Sequence, residues 1–380
     1  MWRAAGLPSI VKWRACMSKL CLNMIVRNEI ANLERCLLST WQHIDSWVIC
    51  DTGSVDGTQA LVTRFFAERN IPGRLIACPF VNFEQARNEA LKAAYHSDLD
   101  FDFLLLHDAD MELVVEHCDF RNRLNAPGYS VLQTTADRFA YWNTRIVRRD
   151  VQAWYKGVTH EFLDLPEQPG RMADIRYIDH ACGSNRVDKF ERDARLLEAE
   201  VTNDPTDHRA WFYLAQSYRD GGRVEDAAQA YSRRAEMGGW AEEAWQARLQ
   251  HARCLRQTGD IGGFVTTALK AFGERPWRAE PLYDLARHYR EDGNNAVALL
   301  ICIEAMRLTF PVDDALFVES WVYDWGIREE FSIAAYYAID RQQRLKGHEV
   351  CAGLTTDHTV PQHVRDLAAK NLQFYNSPGN

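Results

Sequence analysis

Two aspartates separated by one residue, Asp108 and Asp110, directly follow the apolar run 101–106. At the end of a strand, two carboxylates with this spacing can reach the same point. Hard divalent cations such as Mg²⁺ and Mn²⁺ bind carboxylate oxygens and commonly complete their shell with substrate phosphates. The pattern therefore predicts a metal site that serves a phosphorylated ligand.

A second polar cluster, DTGSVDGT at 51–58, also follows an apolar run. It combines a strand-end aspartate, Asp51, with a glycine turn at Gly53 and with residues that can cap a helix. An aspartate in this place can accept a hydrogen bond from the imide N–H of a nucleobase. The cluster contains no G-x-G-x-x-G pattern, which disfavours a dinucleotide-dependent dehydrogenase.

The elements that must position these clusters alternate between strand and helix. Continuous apolar strands separated by amphipathic helices indicate a parallel sheet covered on both faces, with ligands beyond the carboxyl ends of its strands. A third cluster, RNE at 27–29, ends the first of these strands. The predicted strands are 20–26, 46–50, 74–78 and 101–106, and the predicted helices are 32–41, one that runs through residue 66, and 83–95.

The second half of the chain has helical periodicity and recurring glycines. The glycines stand 33 to 37 residues apart, at Gly222, Gly259, Gly293 and Gly326. We predict that each one ends a helix and is followed by a second, alanine-rich helix, which is the tetratricopeptide pattern. Such arrays offer a concave surface for peptides or partner subunits.

Composition excludes several classes of protein. The chain has 380 residues and a net charge of −9, so a general nucleic-acid binder is disfavoured, and no apolar run is long enough for a transmembrane segment. The ten cysteines are scattered and form no C-x-x-C, which predicts buried free thiols in a reducing compartment, the cytoplasm. The N-terminus lacks the apolar core of a secretory signal.

Four motifs occur in a characteristic order: NMIVRNE at 23–29, DTGSVDGT at 51–58, NFEQARN at 82–88 and DAD at 108–110. Together they resemble family-2 glycosyltransferases of the GT-A fold. With tetratricopeptide repeats behind it, the chain is similar to the sublancin-type peptide S-glycosyltransferases. One departure is Val55, where the family often has threonine. The resemblance implies an α/β GT-A domain with a mixed, mostly parallel sheet, followed by an all-α tetratricopeptide-like domain.

The expected domain boundaries follow from these features. They are a flexible extension at 1–16, the GT-A domain at 17–188, the repeats at 189–345 and a helical tail at 346–380.

The resemblance also implies roles for individual residues. The first-strand segment and the second cluster would hold the nucleotide, Arg87 would face the diphosphate, and Asp108 would touch the ribose or the metal. Asp110 would bind the metal, which is Mn²⁺ or Mg²⁺. The implied nucleotide-binding residues are Val26, Asn28, Glu29, Asp51, Gly53, Arg87, Asp108 and Ala109.

The acceptor side rests on the run WYKGVTHE at 154–161. It looks like the G-V-H-E segment of repeat-bearing family-2 enzymes. His160 is the first choice for a further metal ligand and His180 the second. Glu161 is the first choice for the catalytic base, with Asp137 and Asp179 as alternatives. Four nearby aromatic residues could stack on a sugar or belong to the core, namely Tyr141, Trp142, Trp154 and Tyr155.

The function implied is a metal-dependent, inverting glycosyltransferase. It would move a sugar from a nucleotide-sugar, expected to be a UDP-sugar, to an acceptor that the repeats hold, such as a peptide or protein. The alternative is an inactive glycosyltransferase-like scaffold that binds a protein partner. The sugar, the acceptor atom and the oligomeric state stay open, with a homodimer as one option.

Overall fold

The structure is a computed structural model that describes residues 17–135, 140–180, 189–314 and 316–376. The chain divides into two compact units, and the division falls between Lys189 and Phe190. The expected extension at 1–16 lies outside the described residues. Among the helices that are described, none is both long and apolar enough to cross a membrane.

The first unit contains ten strands and three α-helices in the part that is described. The strands are β1 Leu20–Val26, β2 Ser46–Asp51, β3 Gly73–Ala77, β4 Phe103–Leu106, β5 Met111–Val115, β6 Gly128–Thr135, β7 Ala140–Arg148, β8 Trp154–Lys156, β9 Phe162–Asp164 and β10 Gly170–Asp179. The helices are α1 Ile30–Thr40, α2 Thr58–Ala67 and α3 Phe83–Tyr95.

Eight of these strands form one mixed sheet in the order β3-β2-β1-β4-β7-β6-β10-β5, while β8 and β9 pair separately. The first four are parallel, as predicted, and β7 then joins β4 in the antiparallel sense. Of the seven strand pairs in the sheet four are parallel. The predicted mixed, mostly parallel sheet is therefore confirmed.

Helices cover both faces of the parallel half, which explains why its strands are continuously apolar. Every residue of β2 is buried. On one face, Met24 of β1 belongs to a cluster with Leu33 of α1 and Val62 of α2. On the other face, Cys21 of β1 belongs to a cluster with Leu91 of α3. The two layers fix the strand ends, and with them the loops that carry the polar clusters.

The second unit is a succession of helices, and most of them pack against the next helix in the chain. They are α4 Lys189–Asn203, α5 His208–Asp220, α6 Val224–Glu236, α7 Ala241–Thr258, α8 Ile261–Glu274, α9 Glu280–Glu291, α10 Asn295–Ala305, α11 Ile327–Tyr336, α12 Arg341–Thr356 and α13 Gln362–Tyr375. This run confirms the predicted tetratricopeptide-like fold class. The expected boundary between repeats and tail, at 345/346, falls inside α12.

The glycines end their helices at three of the four predicted places. Gly259 caps α7 with a positive φ of 89°, a conformation that favours glycine, and Gly222 and Gly293 follow α5 and α9 with positive φ as well. The prediction for Gly326 is wrong. It lies in a π-helical turn, Val322–Gly326, that continues directly into α11. A Cβ here would stand 2.8 Å from the Trp321 ring, so close packing explains this glycine.

A crossing segment, residues 306–319 apart from residue 315, joins α10 to this turn and touches several earlier helices. The ring of Phe317 stacks on Phe212 of α5 at 6.2 Å. The backbone N–H of Leu316 donates to Glu242 of α7, and Glu319 forms an ion pair with Arg253 of the same helix. The segment therefore covers parts of α5 and α7, which are the first helices of the consecutive pairs α5–α6 and α7–α8.

Candidate active site

The loops after β1 and β2 are tied together by hydrogen bonds. The backbone N–H of Asn28 donates to the Ser54 hydroxyl at 2.9 Å, and the Asn28 side chain accepts from the N–H of Val55 at 2.8 Å. The N–H of Glu29 donates to the Thr58 hydroxyl at 2.9 Å. The first two predicted clusters thus form one rigid loop pair at the carboxyl edge of the sheet. Val55 takes part through its backbone alone, so the departure from threonine leaves the turn intact.

Asp51 is 2% exposed and sits at the centre of this loop pair. Its Oδ1 accepts from the N–H groups of Gly53 and Ser54 and from the amide of Gln59. Burial alone would raise the pKa of Asp51, but these hydrogen bonds lower it below its ordinary value. Its buried Oδ2 has no hydrogen-bond partner among the residues that the structure describes. An ionised carboxylate therefore keeps one acceptor unused.

Asp108 is held by two arginines. Its Oδ1 accepts from Nη2 of Arg87 at 2.6 Å, and its Oδ2 accepts from Nη2 of Arg145 at 2.9 Å. Nε of Arg87 in turn forms an ion pair with Glu161. Burial alone would raise the pKa of Asp108, but the two guanidinium groups hold it well below its ordinary value. The network joins the predicted diphosphate-binding residue to the predicted base.

Arg145 was not predicted from the sequence. In the pairing of β7 with β4, Ile146 lies opposite Leu105, so Arg145 arrives beside the end of β4, where Asp108 follows. Its Nε donates to Oε1 of Gln133 at 2.8 Å. The sequence does show a charged residue directly before the apolar pair 146–147. Its place beside Asp108, however, depends on the register of β7 against β4.

Helix α3 holds the segment 154–161 against the sheet. The side chain of Asn88 donates to the carbonyl of Tyr155 at 2.9 Å and accepts from the N–H of Tyr155 at 2.8 Å. Glu84 accepts from the N–H of Gly157 at 2.7 Å. With the ion pair from Arg87 to Glu161, the NFEQARN motif thereby positions the WYKGVTHE run. From the sequence, Asn88 is recognisable only as part of the NFEQARN motif.

We expect Asn88→Ala to lower the free energy of unfolding of the first unit by about 2–4 kcal/mol, since it leaves two buried backbone groups without partners. Hydrogen exchange should become faster in 154–161. The control is Glu89→Ala, whose half-exposed side chain pairs with Lys92 and contributes less than about 1 kcal/mol. Equal protection of 154–161 in both variants would contradict the role of Asn88.

The structure places the other nucleotide-binding candidates as follows. The side chains of Val26 and Ala109 are buried in the core, which leaves their backbones for contact with a ligand. Glu29 is buried and accepts from the amide of Asn32 at 3.0 Å. Gly53 has a φ of 108° and carries the turn that donates to Asp51. Val26, Glu29 and Gly53 therefore shape the loops around Asp51, and Ala109 lies in the loop after β4.

The metal-ligand candidates do not form a preformed site. Among the described residues, no three Asp, Glu, His or Cys side chains are grouped so that they could hold a metal ion. Both oxygens of Asp108 accept from arginines, which removes it from such a group. Asp110 is partly exposed, and its carbonyl accepts from the N–H of His180. His160 lies in the loop after Gly157 with a φ of 50°.

The remaining candidates have different environments. Asp137 lies outside the described residues. The carboxylate of Asp179 is close enough to help raise the pKa of Tyr141, which burial raises first. Tyr155 is buried with the Arg87 guanidinium 5.3 Å from its ring, so it belongs to the core. The other three aromatic candidates are between 36% and 41% exposed: Tyr141, Trp142 and Trp154.

Residues 21–177 match the sequence model of glycosyl transferase family 2. This segment is a glycosyltransferase family 2 domain. All four motifs quoted above and the Arg87–Asp108–Arg145 network lie inside it.

The chain is also similar to a curated protein and to two solved structures. A TPR repeat-containing protein of Synechococcus elongatus is 33% identical over 158 residues, which is 40% of this chain. The chain spans about a third (36%) of that relative. The match to the structure of S. aureus TarS 1–349 covers 68% of this chain and 92% of the TarS chain, with 13% identity and a TM-score of 0.37. The match to YrrB, a TPR protein with an unusual peptide-binding site, covers 48% of this chain and 85% of the YrrB chain, with 12% identity and a TM-score of 0.35.

Proposed function

We propose that the family 2 domain transfers a sugar from a nucleotide-sugar donor, a UDP-sugar, to an acceptor, with inversion at the sugar carbon. Two features at the carboxyl edge of the sheet carry this proposal. One is Asp51 with its unused acceptor oxygen, and the other is the arginine–carboxylate cluster around Asp108. The first fits a nucleobase and the second fits a diphosphate.

The nucleobase follows from the acceptor that Asp51 leaves unused. Uracil carries an imide N–H that could donate to Oδ2, whereas cytosine presents an acceptor at the same ring position. A hydrogen bond to a charged group contributes about 1.5–3 kcal/mol, so we expect UDP to bind about 10–100 times more tightly than CDP. Calorimetry on the wild type and on Asp51→Asn measures this. Equal affinities for UDP and CDP in the wild type would refute the assignment.

Charge balance supports a divalent metal. The guanidinium groups of Arg87 and Arg145 and the carboxylates of Asp108, Glu161 and Asp110 sum to one negative charge. A donor diphosphate adds two more, which an Mn²⁺ or Mg²⁺ ion would offset. Asp110 would hold the ion, with His160 as a second candidate and His180 as a third. When bound, the ion would stabilise the charge that develops on the leaving diphosphate.

The chain's own groups account for the remaining steps. Arg87 turns from Asp108 and Glu161 to the diphosphate and stabilises its charge as the bond to the sugar breaks. Glu161, released from Arg87, accepts the proton of the acceptor nucleophile while that nucleophile attacks the opposite face of the sugar carbon. Asp137 and Asp179 are the alternative bases.

The proposed acceptor is a peptide or protein. Tetratricopeptide-like arrays bind extended peptides and partner proteins, which supports a peptide or protein acceptor held by the second unit. Seven of the eight cysteines in the described residues are buried free thiols, which supports a cytoplasmic location. The competing candidate is an inactive scaffold, and the intact charged network argues against it.

The decisive experiment incubates the protein with Mn²⁺ and a panel of nucleotide sugars and measures nucleotide release. Release from at least one donor, stimulated by candidate peptide acceptors, is expected. No release from any donor, together with peptide binding but no metal-sensitive UDP binding in calorimetry, would favour the scaffold.

A further inference from the structure

The two arginines that hold Asp108 differ in how they are anchored. Arg145 has a side chain only 6% exposed and is braced by the strands of the sheet. Its Nε donates to Gln133, which is fully buried, and Gln133 donates to the Tyr141 hydroxyl at 3.1 Å. The Arg145 guanidinium also lies 5.6 Å from the ring centre of Tyr177. These contacts fix Arg145 in one orientation.

Arg87 also lies beside an aromatic ring, that of Tyr155 at 5.3 Å, but its hydrogen bonds among the described residues go only to carboxylates. It extends from helix α3, and its guanidinium is divided between Asp108 and Glu161. Both partners are carboxylates that a diphosphate can replace, because phosphate oxygens offer an arginine the same two-point contact. The network therefore contains one fixed and one exchangeable arginine on the same carboxylate.

We propose that Arg145 is a positioning residue, which keeps Asp108 paired and oriented when Arg87 moves from Asp108 to the diphosphate of the donor. This inference rests on the proposed function. Without Arg145, Asp108 would have Arg87 as its single partner in this network, and the donor would compete with that pair for Arg87. Removal of Arg145 should therefore weaken donor binding.

The test measures donor KM, kcat and the affinity for UDP without metal in Arg145→Gln and Arg145→Lys. For Arg145→Gln we expect a donor KM and a UDP Kd about tenfold higher, with kcat about tenfold lower. Arg145→Lys keeps the charge but not the planar fork, so its KM should rise only about threefold. The control is Arg149→Gln, since Arg149 donates to the carbonyls of Ser97 and Leu99 and should affect stability alone.

The outcomes separate this inference from the function on which it rests. A wild type that neither releases nucleotide nor binds UDP refutes the proposed function. An active wild type with an unchanged KM and UDP Kd in folded Arg145→Gln refutes only the role of Arg145. If Arg145→Gln does not fold, an unchanged KM in Arg145→Lys refutes it instead.

Discussion

Asp110→Asn is expected to lower the rate of nucleotide release by about 10³-fold, because it removes the charge of the carboxylate assigned to the metal. Oδ2 of Asp108 stays paired with Arg145 when Arg87 moves to the diphosphate, so we expect Asp108 to replace Asp110 poorly. The Mn²⁺ concentration needed for half-maximal nucleotide release should rise as well. Steady-state release at increasing Mn²⁺ measures both effects.

The matched control for this variant is Asp150→Asn. The side chain of Asp150 is 71% exposed and pairs with Arg148 at the surface, so its loss should leave turnover unchanged. The melting temperature of Asp110→Asn, measured beside that of the wild type, separates a loss of turnover from a loss of folding. Turnover within about threefold of the wild type would remove Asp110 from the metal site.

The second large effect concerns stability and lies in the helical unit. Glu280 and Arg278 form an ion pair in which both side chains are fully buried. Glu280 also accepts from the Tyr323 hydroxyl at 2.9 Å and from the N–H of Glu319 at 3.2 Å. Glu280→Ala should therefore lower the free energy of unfolding by about 3–5 kcal/mol, since it leaves a buried guanidinium without its main partner.

Urea unfolding followed by circular dichroism measures this change. Glu304→Ala is the control, because Glu304 is half-exposed and pairs with Arg307 on the surface of the same unit. Its removal should change the free energy of unfolding by less than about 1 kcal/mol. A loss for Glu280→Ala no greater than that of the control would show that the buried pair does not stabilise the unit.

Local patterns predicted the parallel half of the sheet well. The predicted helix 83–95 has the same bounds as α3, because Asn82 caps its first turn and apolar residues recur at helical spacing. The expected strand 101–106 begins two residues later as β4, although Phe101 is buried. In each case the deciding interactions lie within a few residues of chain.

The remaining features depend on contacts between distant residues. Arg145 becomes part of the site only through the register of β7 against β4, which no local pattern encodes. Asn88 holds Tyr155 across a large separation in sequence. Gly326 looked like a helix end because glycine commonly has that role, but the Trp321 ring beside it requires glycine for another reason. Local spacing cannot distinguish these two uses of glycine.

The crossing segment changes how the second unit should respond to stress. In a simple repeat array each pair contacts only its neighbours, so the ends fray independently and stability is nearly additive along the stack. Here Phe317 stacks on Phe212 and Glu319 pairs with Arg253, which ties early helices to a segment that comes after α10. Loss of the first helix pair would expose contacts much further along the chain. We therefore expect the helices from α5 to α10 to unfold together with the crossing segment rather than one pair at a time.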